Sequence, residues 1–175
     1  MGDQPQLRPF DIPVALRLAE CPDRTFPALH KDLGISISTA HAAVERLRQS
    51  GLIYADARRV NHTALLEFLE HGVRYAFPAQ LGTVQRGVPT AYAGPVLADE
   101  VVAAQAVVWP DPHGPSLGQS LTPLFPQASE LPSRCPSVYA MLTLVDAMRM
   151  GRARERQLAM EYLRKRFADA RCVTA

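Results

Sequence analysis

TFPALHKDLGISISTAHAAVERLRQSGLI, residues 25–53, is the stretch whose reading decides the fold. Thr25 is suited to cap a helix, and Pro27 falls in the first turn, where its missing N–H costs nothing. Ala28, Leu29 and Leu33 then make one apolar stripe. Gly34 stops that helix, because glycine enters the left-handed conformation after a helix end without a Cβ penalty. Ile35 follows as a buried turn residue and Ser36 caps a second helix. There Ile37, Ala40, Ala43, Val44 and Leu47 recur at helical spacing, and Gly51 closes the run. Two short helices joined by a tight turn are therefore expected.

The face opposite that stripe carries Ser38, His41, Ala42, Glu45, Arg46 and Gln49. A helix that reads DNA offers its N-terminal half to base edges and its capping hydroxyls to phosphates. Thr25, Ser36, Ser38 and Thr39 suit phosphate oxygens, while Ser38, His41 and Ala42 suit the groove floor and Arg46 lies further along. The alternative is an αα-hairpin packed in an unrelated helical core.

Leu33-Gly34-Ile35-Ser36, Ser38-Thr39, Arg46-Leu47 and Gly51-Leu52-Ile53 carry a resemblance. On these motifs residues 10–61 resemble the winged helix-turn-helix domain of bacterial transcription regulators of the MarR and IclR kind. The likeness covers under a third of the chain and implies a DNA-binding domain. In such reading helices one position is most often Arg, a residue suited to guanine O6 and N7; here it is Ala42. Base readout would then lean on His41 and on apolar contact with thymine methyls.

The flanks fit a short wing. Residues 52–54 read as an apolar strand, 58–60 as an antiparallel return, and 55–57 as the tip. Arg58 and Arg59 would lie near phosphate or the minor groove, or form an ordinary solvated pair. Upstream, Asp11 is expected to cap a first helix, with Pro13 in its first turn and Val14, Leu16, Leu18 and Ala19 packing inward.

Charge is unevenly placed. The net value is only +2, and residues 1–76 carry nine basic and nine acidic side chains. Residues 77–131 carry one and four, and residues 132–175 nine and four, net +5. Since DNA affinity rests mainly on neutralised phosphates, a nearly neutral reading domain calls for two copies or for help from the basic C-terminal helix.

Beyond residue 61 the reading is of a helical dimerisation or partner-binding region. Asn61 caps a helix to about residue 77 with more apolar positions than one stripe needs. Ten of the fifteen prolines fall in 78–136, a Pro-rich extended segment with at most one helix, over 98–106. Within it, 107–109 read as a strand and 117–121 as its return. Val138, Met141, Leu142, Val145 and Met148 define an amphipathic helix interrupted at Gly151, and a second helix covers 152–167. A homodimer through 61–77 and 138–167 is expected, since palindromic half-sites require twofold symmetry. A helix pair packed on its own chain is the other possibility.

Enzyme chemistry finds no motif: there is no Gly-x-Ser-x-Gly elbow, phosphate-cradling glycine loop or His-Glu-x-x-His. Asp99-Glu100 reads as a solvated helix start and Asp111 with His113 as a turn. Cys135 has no neighbouring base, and the five histidines lack metal-ligand spacing. No catalytic residue, metal or cofactor is expected. Cys21, Cys135 and Cys172 form no C-x-x-C pair, which argues for reduced thiols. No apolar run approaches the roughly 20 residues that span a bilayer, and 1–8 lacks an apolar signal core; a cytoplasmic protein is expected. The expected class is mainly α: a winged helix-turn-helix domain at 10–61, the Pro-rich mixed segment, then C-terminal helices. The expected function is sequence-specific DNA-binding regulation by a dimeric repressor, reading with residues 36–50. The alternative is an antitoxin-like or adaptor protein that holds a partner protein through 78–136 and regulates its own promoter.

Overall fold

The computed structural model describes residues 6–56, 58–103 and 105–173. Helices make up 54% of it. They are α1 (Asp11–Glu20), α2 (Phe26–Leu33), α3 (Ile37–Gln49), α4 (His62–His71), α5 (Val73–Ala76), α6 (Leu131–Arg134), α7 (Pro136–Met150) and α8 (Ala153–Val173). Three strands, β1 (Leu81–Pro89), β2 (Val107–Pro110) and β3 (Ser116–Leu121), form one small sheet. The chain is mainly α.

Local chemistry sets the ends of α2 and α3. Thr25 Oγ1 accepts from the Ala28 N–H at 3.3 Å, and Ser36 Oγ accepts from the Thr39 N–H at 3.0 Å. Between the helices Gly34 has φ +70° and donates its N–H to His30 O. A Cβ at Gly34 would also lie 3.3 Å from Gln127 Cγ and 3.4 Å from Arg134 Nε. Gly34→Ala is therefore expected to cost about 1–2 kcal/mol through the left-handed backbone alone, read as a lower thermal midpoint. An unchanged midpoint would mean the turn can relax out of that conformation.

Three expectations in this region need correction. Ile37 is 44% exposed and does not join the core stripe, which Ala40, Ala43, Val44 and Leu47 make alone. As the first residue of α3, it leaves the helix before the buried face begins. Asp11 is not the cap of α1; it is the first helical residue, buried, and accepts from the Arg8 N–H at 2.8 Å. The expected strand pair shrinks to one antiparallel bridge, Ile53 to Val60, flanked by Tyr54 N–H to Arg59 O and Asn61 N–H to Leu52 O. Ala57, at the expected tip, lies outside the described residues.

The helix capped by Asn61 breaks at Gly72, where φ is −109° and a Cβ would strike the Phe68 ring at 2.8 Å. The expected helix over 98–106 is not formed: residues 98–100 end a turn and 101–103 are irregular, with Val101 packed against the core and Val102 fully exposed; Ala104 lies outside the described residues.

The sheet departs furthest from expectation. β3 does not return antiparallel to β2: it runs parallel to it, and β1 lies antiparallel to both, closing a three-stranded barrel. Glycine makes the closure possible. A Cβ on Gly87 would sit 2.0 Å from Trp109 O, and one on Gly118 2.5 Å from Ala106 O, far inside van der Waals contact. The barrel is pinned to α7 by the buried Asp146 carboxylate, which accepts from Trp109 Nε1 (2.6 Å), Thr90 Oγ1 (2.7 Å) and Arg149 Nη1 (2.6 Å). Arg149 also donates to Phe77 O and Pro78 O.

α7 is the centre of the molecule. Eleven of its fifteen residues are buried, on every side of the helix. The stripe Val138, Met141, Leu142, Val145 and Met148, expected to face a second copy, is thus covered by the chain itself; the helix pair packs on its own chain. Buried side chains from Ile12 to Phe167 form one connected cluster.

Candidate nucleic-acid interface

α3 presents Ser36, Ser38, His41, Ala42, Glu45 and Gln49 to solvent, with Thr39 half-buried beside them. Its start is a knot of hydroxyls: Ser36 Oγ lies 2.9 Å from Ser38 Oγ and 2.8 Å from Thr39 Oγ1. No acidic residue falls in that first turn, so the positive end of the helix dipole is left uncompensated. Further along, Glu45 is the one acid on the face, held by Arg48 Nη1 at 2.7 Å and Gln49 Nε2 at 3.0 Å. Thr25 is exposed, but its side-chain oxygen is committed to capping α2.

Arg46 is the clear correction. Its Nε and Nη2 grip Asp11 Oδ2 and Oδ1 at 2.9 and 2.7 Å, a bidentate pair, and its guanidinium lies 4.9 Å from the Phe10 ring centroid. The residue ties α3 to α1 and has no free donor fork for DNA. Sequence spacing could not show this, because the partner lies 35 residues away.

The basic pair of the bridge segment divides. Arg59 is exposed, its guanidinium 5.4 Å from the Tyr54 ring centroid. Arg58 is half-buried: Nη2 donates to Arg24 O, and the guanidinium lies 4.7 Å from the Phe26 ring centroid. His41 stacks on that same ring at 3.5 Å with an interplanar angle of 23°. Phe26 therefore joins the two elements expected to touch DNA, a role its place in the sequence gave no sign of.

Beneath this surface Asp32 locks α2 to α1. It accepts from Arg17 Nε at 2.7 Å and from Arg24 Nε and Nη2 at 2.7 and 2.9 Å. Burial pushes its carboxyl up, but the bonds from Arg24 and Arg17 outweigh this and hold it below the usual carboxylate range. A depressed folded-state value stabilises the fold above the unfolded value near 3.8, and that contribution disappears as pH falls through the folded value. Stability is thus expected to decline as pH drops below about 4, and Asp32→Asn should flatten the decline. An equal decline in the variant, followed by urea unfolding, would assign the acid sensitivity to other groups.

Elsewhere, a groove of about 630 Å³ opens between the end of α1 and α8, lined by Glu20, Cys21, Met141, Tyr162 and Lys165 among others. Its one acid near α1, Glu20, is engaged by Arg17 and Ser137. The side chain of Cys172 lies outside the described residues. Among the described residues no three His, Cys, Asp or Glu side chains group to hold a metal ion, and no helix is long and apolar enough to cross a membrane. Comparison of the chain with protein-family models, curated proteins and solved structures gives no match.

Proposed function

We propose that this chain is a sequence-specific DNA-binding transcription regulator that reads the major groove with α3 and acts as a dimeric repressor. In this reading α1–α3 and the Ile53–Val60 bridge form a winged helix-turn-helix. The observation that carries it is the start of α3: a capped helix end without acids, three clustered hydroxyls, and His41 and Ala42 standing next to them on the exposed face. Hydroxyls and helix N–H groups position phosphates, and short side chains let the helix approach base edges. Two copies on a twofold-symmetric site would supply the cationic contacts that one nearly neutral reading unit lacks.

The test is a titration of the chain's own upstream DNA against random duplex at several salt concentrations. His41→Ala should cost on the order of 1–3 kcal/mol on the preferred duplex and much less on random DNA. Arg59→Ala should weaken both about equally and reduce the salt slope by about 0.9. Two chains should bind per duplex. Failure of the unmodified protein to prefer any duplex would sink the proposal.

One observation favours a second reading, in which 78–136 holds a partner protein. The β1–β3 ribbon leaves Leu81, Val84 and Leu117 exposed, and exposed apolar strands mark contact surfaces. If the product of an adjacent open reading frame copurifies with this chain, and Val84→Asp with Leu117→Asp abolishes the complex, the partner reading leads.

A further inference from the structure

We infer that Phe26 is a positioning residue for DNA contact, holding His41 of α3 and Arg58 of the bridge segment as one rigid contact arm; this rests on the DNA-binding reading above. Three observations converge on the ring. The imidazole of His41 lies face to face with it at 3.5 Å, closer than ordinary ring pairs, whose centroids sit about 4.5–7 Å apart. The Arg58 guanidinium takes its own place on the ring at 4.7 Å and is fixed a second time by Arg24 O, in the loop just ahead of α2. Phe26 itself is the first residue of α2 and only half-buried, so the ring stands at the surface between the two groups.

The consequence follows from side-chain entropy. An unrestrained surface arginine or histidine must be ordered when it meets DNA, and that cost comes out of affinity. On Phe26 both are ordered beforehand. Arg58 keeps Nε and Nη1 without a protein acceptor among the described residues, donors suited to a phosphate oxygen. His41 keeps its ring edge for a base, because stacking occupies only its face. The stack also fixes the distance between the base-reading group and the phosphate-gripping group. Removing the ring should therefore weaken two contacts at once, although Phe26 touches no nucleotide.

The experiment compares Phe26→Leu and Phe26→Tyr with the unmodified chain, on the preferred duplex over a salt series. F26L should bind about tenfold more weakly, with the salt slope lower by up to about 0.9 as Arg58 loses its place. F26Y keeps the ring and should stay within about twofold. A spectroscopic measurement needs no variant: in the unmodified protein the His41 ring protons should be shifted upfield by the Phe26 ring current, and should remain so when duplex is added. F26L binding with unchanged affinity and slope to a duplex the unmodified protein discriminates would overturn the inference and leave the DNA reading standing. So would equal losses in F26L and F26Y with an unchanged slope, which would mark a packing role, or disappearance of the upfield shift on binding. Absence of DNA binding by the unmodified chain would overturn both.

Discussion

Thr39→Glu is expected to abolish DNA binding at moderate salt while leaving the fold at least as stable. Thr39 is the third residue of α3 after the Ser36 cap, and its N–H is already bonded to Ser36 Oγ. A glutamate there completes the reciprocal capping pattern, its carboxylate reaching back to the Ser36 N–H. The same negative charge suits the positive end of the helix dipole, so the thermal midpoint should hold or rise. Against DNA the effect is opposite. With α3 in the groove as proposed, the carboxylate would face a backbone phosphate, and affinity should fall about a hundredfold or more. Opposite signs for stability and binding make the result hard to mistake for unfolding. If the variant binds DNA as well as the unmodified chain, α3 does not enter the groove through its N-terminal half.

Arg46→Ala is expected to damage the fold severely. It leaves the fully buried Asp11 carboxylate, which now meets both nitrogens of the Arg46 fork, with the Arg8 N–H alone to hold its charge. Breaking one side of such a pair costs about 3–5 kcal/mol, a large part of the 5–15 kcal/mol that holds an ordinary domain together. Loss of DNA binding in this variant would therefore say nothing about base reading. The informative variant replaces both partners, Asp11→Leu with Arg46→Met, which removes the two desolvated charges together and should recover much of the lost stability. Urea midpoints give the energies. A well-folded double variant that had lost its preference for the native duplex would return Arg46 to the interface.

What the sequence made legible is what short-range chemistry writes. Thr25, Pro27, Gly34, Ser36 and Gly51 act on residues within one helical turn of themselves, and α2 and α3 lie within a residue or two of where they were expected. The Asn61 cap belongs to the same class. What escaped is whatever depends on a distant partner. β1 carries no alternation to detect, since Leu81 through Arg86 are all exposed, and its pairing with β3 joins residues as far apart as Leu81 and Leu121. Its existence depends on glycines that let three backbones crowd together, and their spacing has no local signature. Asp146, Trp109 and Arg149 look like an acid in an apolar helix, a lone aromatic and a surface base until the fold buries them with Trp109 and Arg149 each 2.6 Å from the Asp146 carboxylate. The candidate interface divides in the same way. Ser38, His41 and Ala42 could be placed on the outer face from helical spacing, whereas the fates of Arg46 and Arg58 were set by Asp11 and Phe26, each more than 30 residues away.

The unbroken core has a consequence for anyone who would cut this protein apart. Eight of the ten residues of α1 are buried, and α1 packs not only on α2 and α3 but also on α7 and α8. An excised fragment ending near residue 61 would leave the side of α1 that meets α7 and α8 bare, exposing apolar side chains of a helix whose buried residues are mostly aliphatic. At roughly 25 cal/mol per Å² of apolar surface, a strip of a few hundred Å² is worth several kcal/mol, comparable with the whole stability such a small fragment could command. α3 is thus no cassette to be moved from chain to chain. Anything that loosens α7, at the heart of the molecule, should be felt at α3 as well.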